Sequence, residues 1–238
     1  SLALHTPLPK NISLGFSLIN DKLGVTKQTM IYLDFAYKIR LTDKVKLSLG
    51  IKGGANMMEA ELTALQDVEE DDPAFLADIK RSPLLNFGTG AYVYGKNWFA
   101  GISTPRLIEN DTENDISYQV RKEARHYYIT GGYIFNIGDF MKFKPALLMK
   151  YAYDAPFNVD LNFDLLFVDK LWVGMNYRSS NAVGGTVQYN FTPQFKIGYA
   201  YEFDTSIMQQ LSGGTHEVLI SYDFVFKNKE KIKSPRYF

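Results

Sequence analysis

The sequence contains no cysteine. That removes a disulfide framework, a thiolate metal site and a thiol nucleophile together. Neither sign of charge is in excess, since 26 Lys and Arg balance 26 Asp and Glu. A nucleic-acid surface needs a surplus of cations, so no nucleic-acid partner is expected. No apolar run approaches the roughly 18 residues of a membrane helix, which excludes a helical membrane protein. Histidine is scarce: His5, His126 and His216 are far apart in the sequence, and a metal site needs convergent ligands. No metal or cofactor is expected. The chain opens SLALHTPLPK rather than with a signal peptide, so the expectation is either a cytosolic protein or a precursor whose start is missing.

What is present is aromatic and periodic. Tyr and Phe number 16 and 17, which favours strands. In residues 31–52, Ile31, Leu33, Phe35, Tyr37, Ile39 and Leu41 take every second position, and Tyr32, Asp34, Ala36, Lys38 and Arg40 lie between them. After Thr42 and Asp43 the alternation resumes with Val45, Leu47, Leu49 and Ile51. Period-two alternation separates apolar from polar side chains onto opposite faces of a strand, and the short break makes an antiparallel hairpin. A soluble sandwich buries the apolar face, whereas a membrane barrel turns it to lipid and its polar face to the lumen.

The same alternation predicts strands over 1–6, 11–20, 28–41, 44–57, 84–94, 97–106, 125–136, 140–152, 157–168, 171–179, 182–191, 194–203 and 214–226. Many reach the roughly 9–11 residues of a tilted membrane strand, against about 5–6 in globular proteins. In the most regular strands charged residues keep to one face, as lipid would enforce at about 2–4 kcal/mol per misplaced Lys or Arg; strand 140–152 is less tidy. Pro145 predicts a bulge or bend in its strand. Tight turns are expected at 7–10, 42–43, 95–97, 137–139, 169–170 and 192–193, and mostly longer connections at 21–27, 58–83, 107–124, 153–156, 180–181 and 204–213. That asymmetry predicts extracellular long loops, with the short turns and C-terminus in the periplasm. The fold expected is all-β: an antiparallel transmembrane outer-membrane β-barrel over 1–226, with about 13 strand segments here and 14 when intact. Strand parity places at least one further strand before Ser1. Residues 227–238 are expected to form a periplasmic C-terminal tail.

HTPLPKNISLGFSLINDKLGVT (5–26), YLDFAYKIRL (32–41), LSLGIKGG (47–54), GGTHEVLISYDF (213–224) and SPRYF (234–238) resemble the PorP/SprF family of Bacteroidota outer-membrane proteins. The resemblance implies a barrel of the type IX secretion and gliding-motility apparatus. It implies partners as well: type IX secretion components, a secreted adhesin with a type B C-terminal domain, and periplasmic motor or ring proteins reached through the C-terminal tail. Outer-membrane lipid is the surrounding partner. The family carries no catalytic motif, and a non-enzymatic role in secretion and adhesin anchoring is expected. The alternative is an outer-membrane diffusion channel or hydrophobic-substrate transporter.

Residue by residue, the candidate lumen-facing charges are Asp34, Lys38, Arg40, Lys46, Lys52, Asp160, Asp164, Arg178, Glu202 and Asp223, on the polar face of their strands. They either line a pore or pair as a polar filling. Two acidic stretches, DVEEDDPAFLADIK (67–80) and ENDTEND (109–115), lack the spacing of a calcium loop. They read as solvated loops or, since binding evolves on long loops over a rigid scaffold, as partner-binding loops carrying Asp67, Glu69, Glu70, Asp71, Asp72, Asp111 and Asp115. A lipid hydrolase on Ser221 would need His216 beside it, but strand geometry points the two to opposite faces. Trp98, Phe99, Tyr92, Tyr94, Tyr151, Tyr153, Trp172 and Tyr177, near strand ends, suit the membrane interface.

Overall fold

The computed structural model describes residues 1–64, 78–80, 83–109, 125–153, 155–205 and 213–225. Its strands are β1 (Leu2–Pro7), β2 (Ile12–Leu23), β3 (Thr26–Arg40), β4 (Lys46–Ala60), β5 (Ile79–Lys80), β6 (Leu84–Tyr94), β7 (Trp98–Thr104), β8 (His126–Tyr133), β9 (Phe135–Ile137), β10 (Met141–Ala152), β11 (Asn158–Phe167), β12 (Leu171–Arg178), β13 (Ala182–Asn190), β14 (Phe195–Asp204) and β15 (Thr215–Tyr222). All thirteen expected segments form strands, and the short β5 and β9 add to β4 and β10. Neighbours in sequence are neighbours in the ladder, with antiparallel pairing in each recorded register. That follows from short connections and period-two patterning.

The chain divides into two compact units. One holds residues 1–92, 102–127 and 152–154; the other holds 93–101, 128–151 and the remainder from 155. In the first unit, β3 and β4 are 15 residues each and pair without interruption from Arg40↔Lys46 to Thr26↔Ala60. In the second, β10 to β15 form a continuous meander.

In both units the solvent pattern is inverted relative to a soluble sandwich. Leu33 is 65% exposed and Phe35, Leu49, Ile51, Met175, Val187 and Ile220 are exposed with it, whereas Asp160 is 8% and Asn86 2% exposed. Leu47 and Leu161 are half-buried. Apolar side chains on the outer row and buried polar ones on the inner row are stable only where the outer row meets hydrocarbon. Strand length, antiparallel order and polarity together are those of an outer-membrane β-barrel.

Three local expectations change. Residues 21–27 are no loop: β2 and β3 continue to Leu23↔Thr26 around a tight turn in which Gly24 takes φ +59°. The polar residues Asp21, Lys22 and Lys27 extend the ladder past the apolar rows, because backbone pairing does not need an apolar side chain. Pro145 causes no bulge in the β10–β11 ladder, where it sits in register opposite Phe163. The break lies on the other edge, at Ile134 between β8 and β9. Extending the Phe143↔Phe135 register by one or two places brings that break beside Pro145, which has no N–H to give. Finally, Trp172 is on the polar face, where Lys144 Nζ lies 5.0 Å from its ring centroid, and the Phe99 ring packs over Gly132. Neither joins an outward aromatic girdle, since strand parity points both to the other side.

Candidate functional site

Most of the candidate charges are paired. In the first unit the register places His5, Gly15, Asp34 and Lys52 in one row. Lys52 Nζ is 3.5 Å from Asp34 Oδ1 and 4.8 Å from the Tyr32 ring centroid. Gly15 gives Asp34 room to lean, since a Cβ there would stand 3.1 Å from the Asp34 Cβ. Lys38 lies opposite Ser48. Arg40 and Lys46 are the last register pair of the hairpin, both exposed, and Arg40 binds Asp43 in the turn.

Deeper on the same unit, Asn86 organises the segment after β7. Its Oδ1 accepts from the backbone N–H of Phe87 (2.9 Å), Leu107 (3.0 Å) and Ile108 (3.2 Å), and its Nδ2 donates to Ile108 O at 2.9 Å. Arg106 reaches the Met30 sulfur at 3.2 Å. From the other end of the 110–124 connection, Arg125 Nε donates to Leu107 O at 3.1 Å. Sequence reading missed Asn86. Its only signal was a polar residue on the inward parity of an otherwise apolar strand start, and its partners are backbone groups that no side-chain pattern announces. Asn86→Ala removes four hydrogen bonds at a buried position, with an expected cost of about 2 kcal/mol after local rehydration. It should also expose the 110–124 connection to faster protease cleavage. Unchanged cleavage would argue against this role.

In the second unit the charges converge. Asp160 receives Lys150 Nζ at 2.6 Å and Arg178 Nε at 3.2 Å. The other arm of Arg178 donates to Glu202 Oε1 at 2.7 Å, and Asn176 donates to Glu202 Oε2 at 3.3 Å. Arg178 is on β12 and Glu202 on β14, so both bridges cross β13. They cross where β13 presents Ala182 and Gly184; a Cβ at Gly184 would collide with Asn176 Oδ1 at 2.3 Å. Lys144 pairs with Asp164 at 3.1 Å, and Lys196 with Asp223 at 3.6 Å. Asn162, Asp164, Asn176, Arg178, Glu202 and Glu217 face a recess of about 230 Å³. An array in which opposite charges neutralise one another supports a wall of fixed dipoles. Ser221 lies opposite Lys196 on this face, while His216 is opposite Tyr201 on the other, as strand parity requires.

A family model described as type IX secretion system membrane protein PorP/SprF matches residues 1–222. The chain belongs to the PorP/SprF family. No curated protein matches it. Membership of PorP/SprF makes the chain a membrane component of type IX secretion, and the inverted strand polarity agrees with the membrane setting. The candidate partner-binding residues Asp67, Glu69, Glu70, Asp71, Asp72, Asp111 and Asp115 lie outside the described residues.

The base of the first acidic loop is described. Asp78 Oδ1 accepts from the Thr63 N–H at 3.0 Å and the Thr63 hydroxyl at 2.8 Å. These backbone and side-chain bonds from Thr63 hold the Asp78 carboxyl below the usual carboxylate pKa. A depressed folded-state pKa means that the clasp is present at neutral pH and is lost as pH falls through the carboxylate range. Protease cleavage within 65–77 should therefore accelerate on acidification, and Asp78→Ala, which removes the acceptor, should cleave fast at every pH. Cleavage independent of pH in the parent chain would contradict this.

Proposed function

We propose that this PorP/SprF chain is a non-enzymatic outer-membrane barrel that assists type IX secretion and holds an exported adhesin-like cargo at the cell surface. The observation that carries this reading is the family match over residues 1–222, joined to a polar strand face whose charges are paired rather than disposed for chemistry. The proposed cargo is a secreted adhesin with a type B C-terminal domain. In this arrangement the long loops are extracellular and the short turns periplasmic. Residues 1–226 make the barrel, and residues 227–238 form a periplasmic tail that meets motor or ring proteins. Asp34, Lys38, Lys52, Asp160, Asp164, Arg178, Glu202 and Asp223 line the lumen, with Arg40 and Lys46 at a hairpin end.

The test is to isolate the full chain from native membranes in mild detergent and identify what accompanies it. A large secreted protein ending in a type B domain is expected. Recovery of the chain alone would overturn the anchoring role, and a large steady conductance in planar bilayers would favour a diffusion channel instead.

A further inference from the structure

Among the described residues of β12 to β15, the outward rows are apolar and aromatic apart from His216. On β12 to β15, Met175, Gly185, Tyr201 and His216 form a register row, flanked by a row of Val173, Val187, Tyr199 and Val218. Val218 is 72% exposed and Met175 60%. Gly185 leaves a notch between Met175 and Tyr201: a Cβ there would meet only the Gly174 carbonyl oxygen, at 3.9 Å. The outward Gly53 of the first unit differs, because the Phe87 ring covers it at 3.5 Å.

His216 is the next residue of this row, on the far side of Tyr201. Its ring centroid is 4.8 Å from that of Tyr201, and its Nδ1 is 2.6 Å from the Tyr199 hydroxyl. The Tyr201 hydroxyl donates to Gly213 O at 3.1 Å. Both tyrosine hydroxyls are thus satisfied within the protein, as an apolar environment demands. In the tautomer whose Nδ1 accepts from Tyr199, Nε2 carries the proton. That N–H is on the outward face, at the second residue of β15.

We propose that the Gly185 notch and His216 form a binding site for one phosphate-bearing membrane lipid. An acyl chain lies over Gly185 between Met175 and Tyr201, and a headgroup oxygen accepts from His216 Nε2–H. Continuity with the lipid-facing rows argues for lipid rather than protein as the occupant, since the site is a dip within a surface that hydrocarbon already covers. The proposal rests on the membrane fold alone and stands or falls separately from adhesin anchoring.

The experiment uses the full chain in nonionic detergent, titrated with phosphatidylglycerol and read by native mass spectrometry. One retained lipid per chain is expected. Gly185→Phe, which fills the notch, and His216→Phe, which removes the donor, should each lower retention about tenfold, the equivalent of one hydrogen bond or a few buried methylenes. His216→Gln keeps an N–H donor and should restore most of it. Leu33→Phe, in the outward face of the other unit, should leave retention unchanged. Diacylglycerol with the same chains should bind about tenfold more weakly, and inorganic phosphate should not compete. Heat-dependent gel mobility identifies folded protein; if His216→Phe does not fold, Gly185→Phe and Gly185→Leu decide. Parental retention in the Gly185 variants overturns the site, as does an equal loss in Leu33→Phe or displacement of the lipid by inorganic phosphate alone.

Discussion

Replacing Arg178 by Leu is expected to destabilise the folded protein by about 3 kcal/mol, the cost of breaking a buried ion network by removing one member. Among the described residues, Arg178 ties Asp160 on β11 to Glu202 on β14, at 3.2 and 2.7 Å. Its loss leaves Asp160, 8% exposed, with Lys150 alone, and leaves Glu202 with a neutral amide. The figure sits at the lower end for buried pairs because the Arg178 and Glu202 side chains are 33% and 30% exposed and are partly screened. Arg178→Lys should recover only part, since one ammonium lacks the two-armed fork that spans both acids. The double variant Arg178→Leu with Glu202→Leu should cost less than the two single losses added together, because the second removes an acid the first has stranded. Urea titration of the protein folded into lipid vesicles gives these numbers. A loss below about 1 kcal/mol for Arg178→Leu, the range of a surface pair, would remove the network from any account of stability.

An arginine at Leu33 is the second substitution with a large expected effect. Leu33 is 65% exposed in the middle of β3, paired with Phe16 and Gly53. Were that surface aqueous, Leu33→Arg would fall within about 0.5 kcal/mol of neutral. Against hydrocarbon it should cost about 3 kcal/mol, and less toward the strand ends. Thr29→Arg, on the same face of β3 but beyond the apolar rows, should be nearly neutral. The contrast between the two measures where hydrocarbon begins along β3. Equal, small effects at both positions would remove lipid from the outward face and take the barrel assignment with it.

The strand segments were legible because a strand repeats every two residues and lipid forbids charge on one side; Phe157 to Phe167 and Phe195 to Phe203 leave no other reading. The pairing of Asp34 with Lys52 was not legible: a two-residue 42–43 turn would set Asp34 opposite Ile51, whereas the connection spans 41–45 and pairs Arg40 with Lys46. Ends of strands were less legible. Asp21, Lys22 and Lys27 look like loop but belong to the β2–β3 ladder, since the apolar pattern stops where hydrocarbon stops and the hydrogen bonds do not. The Pro145 break was displaced to the neighbouring strand for a related reason: the missing donor disturbs only the edge to which its N–H would have pointed.

Composition and alternation alone determined an all-β membrane chain with charge on one face, because the two-residue period and the exclusion of charge from lipid act locally along each strand. Which charges meet was decided only by the tertiary structure. Arg178 and Glu202 are 24 residues apart in sequence and two strands apart in space, and their bridge exists because Ala182 and Gly184 on the strand between them leave room. Asn86 and the His216–Tyr199 pair belong to the same category. Side chains that bond across strands or to backbone depend on register and on the size of a third residue, and neither quantity is written in the segment that carries them.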